Sequence, residues 1–116
     1  GNGKRMTKQI ISPVARWAGT VTIADPLNQI QAHAIEAGLR RPEEGHEDNG
    51  RIWLSVIDDM KLPAVLACVE KWDLKDFTPD PFPYSPRNDS HKLIDFIFQE
   101  LFKVYIGETD IPKESE

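Results

Sequence analysis

Few residues in this chain have the type and spacing to do chemistry. The densest acidic run is Glu43, Glu44, Glu47 and Asp48 around His46. Carboxylates with an imidazole can hold a divalent cation, but the spacing matches no EF-hand loop, and the run sits in RRPEEGHEDNG, which has no apolar residue. It reads as a charged surface loop. Asp58-Asp59 is a carboxylate pair in sequence only, because adjacent helical residues do not face each other. Cys68 has no histidine at a nucleophile-like local spacing and flanks an apolar stripe, so it reads as a small packed hydrophobe. His33 falls on the polar side of a helical pattern, the place of a solvated histidine. No phosphate loop, nucleophile elbow, zinc motif or dinucleotide fingerprint occurs. The expectation is a protein without catalytic residues, bound cofactor or metal.

With 116 residues the chain suffices for one domain with a core and is short for two. Its 40% hydrophobic and 28% charged content is that of a soluble globular protein. A net charge of −5 weighs against nucleic acid as the main partner, since phosphates need a basic surface. One cysteine rules out an intrachain disulfide. No apolar run reaches the roughly 20 residues that span a bilayer, and the N-terminus lacks a signal-peptide core, so no membrane association and an intracellular location are expected.

The elements that must position any site follow from periodicity. Residues 1–7 read as disordered, with Met6 a possible native start, and residues 8–107 as a single globular domain. Trp17 to Ile23 alternates with period two and is rich in β-branched residues, the signature of a half-buried strand. Its amides need a partner, which residues 8–14 can supply as a hairpin or another subunit can supply. Trp17 is expected as a core anchor. Asp25-Pro26 reads as a helix start running to Leu39, with Leu27, Ile30, Ala34, Ile35, Ala37 and Leu39 inward. Gln31 and Gly38 interrupt that side and permit a close helix approach or a buried hydrogen bond. A second helix is expected over Arg51–Met60. A third, with Pro63 in its first turn, should reach Trp72. Asp73 to Arg87 holds four prolines interleaved with Phe77, Phe82 and Tyr84. It reads as an extended strap over the core, with a PxxP docking ligand at Pro83 and Pro86 as the other reading.

The last helix pattern, Asp89 to Gly107, is the most informative. Asp89 or Ser90 suits the cap and Gly107 the left-handed C-terminal position. Its apolar residues cover roughly 240° of the circumference, where a surface helix needs little more than about 100°. Lys92, Asp95, Gln99 and Lys103 form the polar strip, and Glu100 interrupts the apolar arc between Phe96 and Val104. Most of the arc should be core, with the Phe96–Glu100 edge at the rim. The candidate partner-binding residues are Phe82, Tyr84, Phe96, Glu100 and Phe102. Residues 108–116 read as a flexible acidic tail. The fold class is mainly α (α+β), about four helices with a short N-terminal strand or hairpin.

A resemblance covers Trp17 to Glu108. Trp17-x-Gly19-x-Val21, Asp25-Pro26-Leu27, LPAVLACVEKW from Leu62 to Trp72, Ser85-Pro86-Arg87 and the closing VYIGE resemble the tail assembly chaperones of long, non-contractile-tailed phages and prophages. The resemblance implies a non-enzymatic factor of the bacterial host cytoplasm, absent from the mature virion. Such a factor binds the tape-measure protein, recruits tail-tube subunits and often self-associates. It further implies a longer product made by frameshifting, for which Pro112-Lys113 offers a place. The other function class open to the sequence is a small phage structural or regulatory binding module, such as a head–tail connector component or a host-takeover factor.

Overall fold

The computed structural model describes residues 7–39, 47–48, 51–52, 54–83 and 88–109. Strands β1 (Thr7–Ile11) and β2 (Gly19–Ala24) form an antiparallel hairpin in continuous register from Thr7 opposite Ala24 to Ile11 opposite Thr20. A 3-10 turn over Ala15–Trp17 lies between them. Trp17 is 4% exposed, the anchor its size implied. Gly19 has φ of +139°, a conformation that excludes a side chain there, and the Asp73 carbonyl stands where its Cβ would be.

Helix α1 (Gln29–Gly38) starts later than Asp25-Pro26 suggested. The reason is a better cap. The Asn28 carboxamide oxygen accepts from Gln31 N at 2.8 Å, and Gln31 Oε1 accepts from Asn28 N at 2.9 Å. This reciprocal box satisfies two free amides at once. The inner face of α1 is also narrower than expected. Ile35 is enclosed, but Ile30 is 77% and Leu39 46% exposed. The face is centred on the two residues that interrupt the apolar pattern. Gln31 Nε2 donates to the Ala67 carbonyl at 3.0 Å, and a Cβ on Gly38 would lie 2.7 Å from the Phe98 ring. The close approach is thus realised at Gly38, whereas the Gln31 bond joins the helices at an exposed position and not as the buried bond also considered.

A two-residue hairpin, β3 (Glu47–Asp48) with β4 (Arg51–Ile52), precedes α2 (Leu54–Cys68). The two helices expected on either side of Leu62-Pro63 are one. Pro63 lies inside α2 with its ring exposed, and Ala64, Val65 and Cys68 continue the buried stripe beyond it. Packing of that stripe holds the helix together despite the missing N–H. Directly after Cys68 the chain enters β5 (Val69–Leu74), paired antiparallel with β2, so the sheet order is β1-β2-β5. The sequence hid this strand for a physical reason. Thr22 pairs with Lys71 but Ile23 pairs with Val69, so the strand carries an extra residue at Glu70. That bulge spaces the half-buried Val69 and Trp72 by three, which imitates a helical period.

Helix α3 (Asp89–Thr109) already includes Asp89, the first of the expected caps, after Asn88 in the left-handed region, and it runs through Gly107 rather than ending at it. Gly107 is not among the positive-φ residues, so it does not form the C-terminal turn. The described residues form a small α+β domain with three α-helices, a three-stranded antiparallel sheet and the β3–β4 pair, where about four helices were expected. Its core joins Ile10, Val21 and Ile23 of the sheet to Val65 and Cys68 of α2 and to Leu93, Ile97 and Leu101 of α3, the last three fully enclosed. Each such large apolar side chain contributes about 1.5–3 kcal/mol on burial.

Candidate functional site

The polar side chains of α3 are organised by the elements packed on each flank. On the α2 side, Lys61 Nζ donates to Asp95 Oδ1 at 2.7 Å and lies 5.3 Å from the centre of the Phe98 ring. Gln99 Nε2 donates to the other Asp95 oxygen at 2.7 Å. One turn nearer the N-terminus, His91 Nδ1 and Asp58 Oδ1 are 2.6 Å apart. Burial pushes the Asp95 carboxyl up, but the Lys61 ammonium, with Gln99 and His91, outweighs it and holds the group below its usual value.

On the β1 side, Glu100 accepts from Lys8 at 2.9 Å and Lys103 at 3.0 Å. These bonds hold its carboxyl below the usual value against a smaller desolvation effect. Toward α1, the Tyr105 hydroxyl donates to Glu36 Oε2 at 2.7 Å, which raises the phenol. These pairings were not read from the sequence. The only signal was the i, i+4 recurrence of His91, Asp95 and Gln99 on one helical face.

Between the three helices lies a groove of about 550 Å³. It is lined by Gly38 and Leu39 from the end of α1, by Ile57 and Met60 of α2 and by Phe98 and Phe102 of α3. Lys61, Asp95, Gln99 and Lys103 of the same helices also line it. The lining is mainly apolar with a few oriented polar groups, the composition of ligand and peptide grooves. Phe102 is half-buried and stacks on Tyr105 with ring centres 6.2 Å apart.

The candidate binding residues do not converge. Phe102 lines the groove, whereas Glu100 is tied to β1 by Lys8. Phe96 is half-buried, packed on the core rather than enclosed by it. Phe82 belongs to the strap, where Phe77 contacts Trp17 at 5.2 Å and Trp72 at 5.1 Å, and Phe82 contacts Trp72 at 5.9 Å. Within the described part of the proline-rich segment, Phe77 and Phe82 therefore pack against the core, in keeping with the strap reading. Tyr84 and Pro86 lie outside the described residues, and so do Glu43, Glu44 and His46 of the acidic run. Among the described residues no group of three or more His, Cys, Asp or Glu is placed to hold a metal ion, and no helix is long and apolar enough to cross a membrane.

No protein-family model matches the chain, and neither does any curated protein or solved structure.

Proposed function

We propose that the chain is a non-enzymatic phage tail assembly chaperone that binds the tape-measure protein, recruits tail-tube subunits and self-associates in the host cytoplasm. The sequence likeness over Trp17 to Glu108 names the partners. The groove carries the physical case: an apolar trough between three helices suits the apolar face of a partner helix. The polar residues that also line it, Lys61, Asp95, Gln99 and Lys103, would give that contact orientation.

The test is capture of purified tape-measure protein by the purified chain, compared with a Phe102→Glu variant. Phe102 is half-buried at the groove, so a charge there should weaken capture at least about 10-fold while far-ultraviolet circular dichroism stays native, the scale of a modest interface hot spot. A folded wild-type chain that ignores the tape-measure protein sinks the reading. Detection of the chain in purified virions would replace it with a structural role.

A further inference from the structure

The two edges of the three-stranded sheet differ. β5 is irregular, with a bulge at Glu70 in its pairing with β2, and carries three charges in its six residues, Glu70, Lys71 and Asp73, features that discourage strand pairing. β1 has no bulge and a single charge, Lys8, which is neutralised by Glu100. Its register with β2 is unbroken over all five residues, and its exposed side chains are Thr7, Gln9 and Ile11, with Ile11 74% exposed.

The hydrogen-bond phase shows which backbone groups are open. Ser12 N donates to Gly19 O at 3.0 Å, so by alternation Ile10 and Lys8 bond to Val21 and Ile23. The amides and carbonyls of Thr7, Gln9 and Ile11 then point away from β2. The bond from Lys75 N to Ala18 O fixes the same phase on the far side of β2. Among the described residues nothing bonds the β1 groups from outside. Lys8, on the opposite face of the strand, is held by Glu100 and braces the edge against α3.

We infer that the β1 edge docks a second copy of this chain, the two strands pairing antiparallel about a two-fold axis at Gln9 to make a six-stranded sheet. The strand is self-complementary in that register. Gln9 faces Gln9 and Thr7 faces Ile11 as hydrogen-bonded pairs, giving about six backbone bonds. Lys8 faces Ile10, so no like charges oppose each other. An isologous contact of this kind closes on itself as a dimer. The inference rests on the self-association within the proposed function, and it specifies the surface.

A contact about five residues long is small, so the dimer should be weak and visible in sedimentation from about 10 μM to 1 mM. The wild-type mass should rise from 13.2 kDa toward twice that value. Gln9→Pro removes the central outward amide without removing a bond to β2, and should weaken dimerisation at least about 10-fold with circular dichroism unchanged. Gln9→Cys should give an intermolecular disulfide on mild oxidation, because directly opposed Cα atoms lie about 5.5 Å apart. Lys71→Cys on the β5 edge should not. A wild-type chain that stays at 13.2 kDa throughout, or a Gln9→Cys chain that cross-links no better than Lys71→Cys, overturns the pairing. Tape-measure capture is measured separately, so a dimer without capture sinks the chaperone reading alone.

Discussion

At the residue scale, the most informative side chain is Glu100. In the sequence it interrupts an apolar arc and looks like an exposed rim charge. In the fold its side chain is 12% exposed and accepts from both Lys8 and Lys103. Its carboxyl therefore ionises more readily in the folded chain than in the unfolded one, whose value is near 4.5. The folded state binds that proton less readily, so the contribution is complete above the unfolded value and is lost as pH falls through the lower folded one. Asp95 has the same sign. Replacing Glu100 with Gln should cost about 1 kcal/mol or less near neutrality, and the difference from wild type should shrink below about pH 4. Urea unfolding at about pH 7 and about pH 3.5, on either side of that carboxylate range, measures both values. A difference that does not change with pH would show that Glu100 acts through packing.

At the element scale, α2 crosses a proline that should end a helix. Pro63 lacks the N–H that would bond the Asp59 carbonyl, and its ring is exposed, so nothing in the core depends on it. Pro63→Ala should restore one helical bond and stabilise the protein by about 1–2 kcal/mol, after the gain in unfolded-chain freedom is subtracted. Thermal unfolding reads this as a higher midpoint. A lower midpoint would mean that the proline contributes packing that its exposure does not suggest. The same helix shows how a tertiary partner redraws an element. Its apolar stripe stops at Cys68 because Val69 to Leu74 is taken by β2.

At the scale of the whole molecule, the strap decides whether the sheet end of the core is dry. Phe77 touches Trp17, Trp72 and Phe82, the last at 5.4 Å, so it is the hub of that cluster. Phe77→Ala should cost about 2–4 kcal/mol, toward the lower part of the range for aromatic truncation because the ring is only half-buried. Tryptophan emission should shift to the red as Trp17 and Trp72 meet water. Stability within about 0.5 kcal/mol of wild type, with unshifted emission, would place the strap outside the cooperative unit.

The sequence by itself determined the elements whose pattern is local. The alternation from Gly19 to Ile23, though not its expected start at Trp17, which lies in a 3-10 turn, and the wide apolar arc of α3 each dictated their structure, because side-chain spacing and backbone restriction act within a few residues. It also marked Gln31 and Gly38 as a place of close approach, since an amide and a missing side chain on an apolar face need such a reason. Only the tertiary structure decided the rest. The Glu70 bulge made β5 look helical until β2 paired with it, and the fused α2 survived Pro63 because its stripe packs on both sides of the ring. The groove and the ion pairs of α3 depend on which residues distant in sequence the fold brings together. Those distances follow from packing between elements, which no local period encodes.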